Sequence, residues 1–115
     1  ITQLFLDNDA FDTYRNKVAQ AGISVPIEAG IMPVTNKKQI ERMVKLCGAT
    51  LPKKFLHILN KYEDNPEALR DAGVAYAIEQ IVDLIAQDVD GIHLYTMNRA
   101  DVARKIDHAV HRLLQ

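Results

Sequence analysis

A strand that runs out through a Gly/Pro loop into a helix N-terminus constrains this chain more than anything else in it. Val25–Ala29 is a short apolar run of the kind buried in a sheet, and Gly30 is expected to break it. Pro33 then holds the loop extended, because the residue before a proline is pushed out of helical φ/ψ. Thr35 is placed to cap the next helix, its hydroxyl accepting an orphan backbone N–H. Such a junction is the βα unit of α/β folds, in which ligands bind at the carboxyl ends of the strands.

The rest of the chain repeats that rhythm. Ile1–Leu6, rich in β-branched and aromatic residues, reads as a strand. Asp7, Asn8 and Asp9 supply cap chemistry for a helix over Ala10–Ala21, with Phe11, Tyr14, Val18 and Ala21 as its inner stripe and Gly22 as its stop. A second helix is expected over Asn36–Cys47, with Ile40, Met43, Val44 and Cys47 on one face, and a short one from Pro52 to Asn60. Asp64-Asn-Pro-Glu67 has the form of a capping box with proline in the first turn. It opens a long helix to Gln87 whose apolar residues are Leu69, Val74, Ala77, Ile78, Ile81, Val82 and Ile85. Gly91–Tyr95 is a third strand, Thr96–Asn98 its exit loop, and Arg99–Leu113 a last helix burying Val102, Ile106, Val110 and Leu113.

Alternating strands and helices imply parallel strands. Three strands alone make a poor parallel sheet, since both faces need helices and both edges stay open. The expectation is an α/β fold holding the last three βα units of an eight-unit barrel, with residues 1–115 as the C-terminal portion of one domain of a longer protein. The balance of 14 basic and 15 acidic residues, net −1, provides no stripe for nucleic acid. No apolar run approaches the roughly 18–20 residues of a membrane span. The single cysteine, Cys47, forms no internal disulfide, fits a reducing compartment, and is read as a packed thiol.

No motif announces itself by spacing alone. His108 and His111 have a metal-compatible spacing but no third ligand nearby, so solvated surface histidines are expected and no metal. Arg99, just beyond a buried strand, either holds a ligand carboxylate or phosphate in its planar fork or pairs with an acidic neighbour such as Asp101. Gln3, polar in an apolar strand, is either a core hydrogen-bonding residue or a ligand contact. Gln39 is by default solvent-exposed, and His93 is read as a satisfied core histidine.

Three segments carry a resemblance: Ile1-Thr-Gln-Leu-Phe-Leu-Asp7, Gly30-Ile-Met-Pro-Val-Thr-Asn36 and Ile92-His-Leu-Tyr-Thr-Met-Asn-Arg99-Ala100. In order and spacing they resemble the C-terminal third of bacterial methylenetetrahydrofolate reductase, over Ile1 to about Leu113. The resemblance implies an FAD-containing (βα)8 TIM barrel of one-carbon metabolism and methionine biosynthesis. Such an enzyme reduces its flavin with NADH or NADPH, then passes hydride to 5,10-methylenetetrahydrofolate to give 5-methyltetrahydrofolate. It further implies a cytoplasmic homo-oligomer.

Carried over by position, Gln3 matches a glutamine that hydrogen-bonds the pterin, Gln39 a second glutamine near the folate, and Arg99 the arginine that holds the folate tail. Met97 stands where the family has leucine before Asn-Arg. Met43 stands where some relatives have a phenylalanine stacked on ligand, and is equally read as core. The family's general-acid glutamate, the aspartate beside the flavin and most FAD contacts have no counterpart in this chain. Residues 1–115 are therefore expected to supply part of a folate-binding wall and to be inactive alone. Two alternatives remain: a non-catalytic half-barrel that self-associates through its strand edges, and a different barrel enzyme such as a pterin or corrinoid methyltransferase.

Overall fold

Helix α1 begins where the sequence offers its first carboxylate cap. In the computed structural model, which describes residues 7–47, 52–95 and 100–114, Asp7 is the extended N-cap of α1 (Asn8–Gln20) and accepts the Asp9 N–H at 2.9 Å. Gly22, at φ 78°, closes the helix. Its N–H reaches the Ala19 carbonyl and that of Ile23 reaches Val18, both at 3.1 Å, the paired bonds of a Schellman end. The expected inner stripe holds only in part. Phe11 is buried, but Tyr14 is half exposed and Ala21 is exposed. The seam instead follows Asn8, Phe11 and Arg15. Asn8 Nδ2 donates to the Gln80 carbonyl and to Asp83, and Arg15 donates to the Gln87 carbonyl.

The chain then passes through β1 (Glu28–Ile31), α2 (Lys37–Cys47), α3 (Lys53–Tyr62), α4 (Pro66–Ala86), β2 (Gly91–Leu94) and α5 (Ala100–Val110), ending in a 3-10 turn over His111–Leu114. Strands β1 and β2 are parallel neighbours, with Glu28 opposite Gly91 and Ile31 opposite Leu94. Among the described residues, helices α2, α3 and α4 lie between them in the chain. The strand expected at Ile1–Leu6 lies outside the described residues.

Strand β1 corrects two expectations. Val25 is 65% exposed, and the ladder starts only at Glu28. Pro26 has no N–H to give a ladder, and the Ile27 N–H goes to the Asp90 carboxylate at 2.8 Å, so the approach is pinned by a side chain. Gly30 does not break the strand. It lies inside it, buried, opposite His93. The Tyr95 N–H extends the ladder by donating to the Ile31 carbonyl at 2.8 Å.

Helix α4 is the spine. Asn65, rather than Asp64, is its N-cap and accepts the Ala68 N–H at 3.2 Å, so the cap is shifted by one residue from the expected Asp64–Glu67 box, while Pro66 stands in the first turn as expected. Its C-terminus is a second Schellman end. Val89 donates to Leu84 and Asp88 to Ile85, with Asp88 itself left-handed at φ 59°. Val74, Ala77, Ile81 and Leu84 of α4 pack with Ala29 and Ile31 of β1 and with Val102, Ile106 and Val110 of α5. Two positions expected to be apolar core, Val82 and Leu113, are 40% and 47% exposed. A second cluster joins Met32, Val34 and Phe55, with Tyr76 and Tyr95 against it. Phe55 meets Tyr76 edge-on at 5.1 Å.

Candidate functional site

The loop leaving β1 is built to be rigid. Met32, Pro33, Val34 and Thr35 are all buried, although they belong to no strand or helix. Helix α4 backs this loop at Gly73, where a Cβ would stand 1.6 Å from the Val34 carbonyl oxygen. Only a residue without a side chain lets helix and loop backbones meet so closely. Tyr95, just past β2, packs on the same Met32–Val34–Phe55 cluster and meets His93 edge-on at 4.4 Å. His93 is half-buried.

Beyond the loop, Asn36 caps α2, its Oδ1 accepting the Gln39 N–H at 2.9 Å. The expected cap, Thr35, does something else. Its N–H and its hydroxyl both donate to Gln39 Oε1, at 2.7 and 2.9 Å. Gln39 is therefore a half-buried residue tied back to the loop, not the solvent-exposed side chain its helical position suggests. The arrangement is a capping box shifted by one residue: Asn36 takes the N3 amide, and the N3 glutamine reaches to the residue before the cap. Asn-x-x-Gln was the available sequence signal.

Gln39 lines a cleft of about 320 Å3 with Asn36, Lys38 and Arg42. Two amides and two cations at a helix N-terminus suit a ligand with hydrogen-bonding groups and negative charge. Lys38 and Arg42 belong to no motif, and only their i, i+4 spacing, which brings them to one side of the helix, marks them in the sequence. Met43 lies one turn beyond Gln39 on α2, but its side chain, like that of Cys47, is outside the described residues. Gln3, Met97 and Arg99 also lie outside them. Asp101, the acidic neighbour considered for Arg99, forms an ion pair with Arg70, tying the first turn of α5 to α4.

A second cleft, of about 360 Å3, has the opposite character. Asp7, Asp9, Glu79 and Asp83 line it, with Tyr76 and Lys54, the latter paired to Glu79. Burial, reinforced by the Asp7 and Glu79 charges, pushes the Tyr76 hydroxyl up to about 12. Among the described residues no group of three or more His, Cys, Asp or Glu is arranged to hold a metal, and His108 and His111 are exposed. No helix among them is long and apolar enough to cross a membrane.

Residues 1–111 match the protein family described as methylenetetrahydrofolate reductase. The chain is 38% identical over 98 residues to methylenetetrahydrofolate reductase (NADH) 1 of Arabidopsis thaliana, covering 85% of this chain and 17% of that protein. It is 36% identical over 106 residues to methylenetetrahydrofolate reductase 1 of Schizosaccharomyces pombe, covering 92% and 18%. Against 5,10-methylenetetrahydrofolate reductase of Escherichia coli the identity is 30% over 110 residues, covering 96% and 37%. The chain thus spans from about a sixth to just over a third of the length of these relatives.

Proposed function

The chain belongs to the methylenetetrahydrofolate reductase family, and from that premise we propose that it forms part of the folate-binding wall of a reductase. That enzyme converts 5,10-methylenetetrahydrofolate to 5-methyltetrahydrofolate at the expense of NADH or NADPH. In this reading the chain is the last three βα units of a (βα)8 barrel, in a cytoplasmic homo-oligomer, and does not catalyse alone. The observation that carries it is Gln39, held by two bonds at the carboxyl end of β1 beside Lys38 and Arg42. A folate offers that site both a hydrogen-bonding heterocycle and an anionic tail.

The α2 cleft is a poor fit to the isoalloxazine ring of the family's FAD. An isoalloxazine needs apolar or aromatic faces against its ring plane, whereas the α2 cleft is walled by two amides and two cations. In this reading the α2 cleft belongs to the substrate side. The roles of Gln3 on the pterin, Arg99 on the tail, and Met43 and Met97 as apolar contacts belong to the same proposal.

The test is a folate titration of the flavin-loaded reductase that contains this segment, followed by flavin absorbance. Gln39→Ala is expected to weaken folate binding about tenfold while the flavin spectrum stays unchanged, as for loss of a hydrogen bond to a charged or strongly polar group. Unaltered folate affinity would remove Gln39 from the site.

A further inference from the structure

Gln39 has a rotamer-rich side chain, and a ligand contact made through it is only as selective as the orientation of its terminal amide. That orientation is fixed chemically. The Thr35 backbone N–H can only donate, so the amide atom 2.7 Å from it must be the oxygen. The Thr35 hydroxyl, 2.9 Å away, donates to the same oxygen. Thr35 is itself only 7% exposed, in a buried loop that α4 backs closely at Gly73. The anchor is therefore rigid, and it consumes the acceptor end of the amide.

We propose that Thr35 is the positioning residue of this site: by binding Gln39 Oε1 through its N–H and hydroxyl, it turns Gln39 Nε2 outward and makes Gln39 a hydrogen-bond donor to an acceptor group of the bound folate. The inference rests on the reading that Gln39 contacts folate, and it adds the polarity of that contact. A carbonyl oxygen, an unprotonated ring nitrogen or a carboxylate satisfies Nε2, and a ligand N–H placed there is rejected. Asn36 contributes no competing constraint, because its Oδ1 takes the Gln39 backbone N–H.

Three substitutions in the flavin-loaded reductase separate this role from a purely structural one. Thr35→Val keeps the β-branch and the backbone N–H but removes the hydroxyl, and is expected to raise the folate Kd about three- to tenfold, the usual worth of one hydrogen bond. Thr35→Ser restores the hydroxyl and is expected to bind folate within about twofold of the parent. Gln39→Glu retains an acceptor for Thr35 but has no donor, so the thermal midpoint should hold while folate affinity falls more than about tenfold.

The outcomes divide cleanly. If Gln39→Ala leaves folate affinity untouched, the site reading fails. If Gln39→Ala weakens binding but Thr35→Val binds like the parent, or Thr35→Ser binds as poorly as Thr35→Val, the positioning role fails alone. Gln39→Glu with parental affinity overturns the donor polarity, and it does so even if Thr35→Val does not fold.

Discussion

Replacing Gly73 by alanine tests the close approach of α4 to the loop that leaves β1. Glycine in a helix interior normally destabilises by about 1 kcal/mol relative to alanine, so on propensity alone Gly73→Ala stabilises. Packing opposes it. The new Cβ would sit 1.6 Å from the Val34 carbonyl oxygen and 2.8 Å from its carbon. Separating Cβ and oxygen to roughly 3 Å, the shortest approach real Cβ atoms make, needs a displacement of about 1.4 Å between α4 and the loop. The obstacle is backbone, which no rotamer change moves aside, and Val34 is only 2% exposed.

Overpacking of this kind costs about 1–3 kcal/mol and occasionally more. With the clash at the upper end of that range, the net loss is about 2 kcal/mol. The assay is urea unfolding at constant m-value, with Ala75→Gly as a control on the exposed side of the same helix. Ala75→Gly should lose about 1 kcal/mol from propensity alone. Gly73→Ala should lose more, although it runs in the opposite chemical direction. A midpoint for Gly73→Ala equal to or above that of the parent refutes the close-approach argument. Because the displaced loop carries Thr35, folate affinity in the complete reductase should fall with the stability.

Three further outcomes are expected. Tyr76 has a folded-state pKa of about 12, above its unfolded value near 10, so its contribution is fully present below about pH 10 and is lost as pH rises towards 12. Urea midpoints measured upward from pH 9 should therefore fall more steeply for the parent than for Tyr76→Phe, and parallel slopes would refute this. Asp88→Gly relieves a left-handed residue at the end of α4 and should raise stability by about 0.5–1 kcal/mol in thermal unfolding, whereas a loss would mean that the aspartate contributes more than its backbone costs. Arg99→Ala in the complete reductase should weaken folate binding by about 1–3 kcal/mol in a direct titration, and unchanged affinity would remove Arg99 from the tail.

What the sequence made legible was local chemistry. Asp7, Gly22 and Pro66 are strong punctuation, and α1 and α4 start and stop close to where those residues put them. The alternation of strand and helix correctly implied the parallel pairing of β1 with β2. What escaped depended on partners far along the chain. Val25–Ala29 is as apolar as a buried strand, but β2 decides where pairing begins, and Asp90 claims the Ile27 N–H. Gly30 carries a side-chain-free signal that fits a strand break and a strand interior equally well. Gly73 lies inside an apolar helical pattern, where an isolated glycine signals a packing reason but not which backbone it meets. For the site, Gln39 came from resemblance and its burial did not, because Thr35 is what draws it in.

The clasp between Ile27 and Asp90 joins residues 63 apart in sequence, and the β1–β2 ladder lies directly beyond it. Closing a chain loop of that size costs on the order of 4 kcal/mol of entropy before the ladder returns anything. Helices α3 and α4, joined by a short turn, can meet long before the two strands do. The sheet is thus expected to pair after α3 and α4 have met, with the Ile27–Asp90 bond closing its N-terminal end. Shortening the segment between the strands by half would save only about 0.6 kcal/mol, so the pairing of β1 with β2 is nearly indifferent to how much chain lies between them.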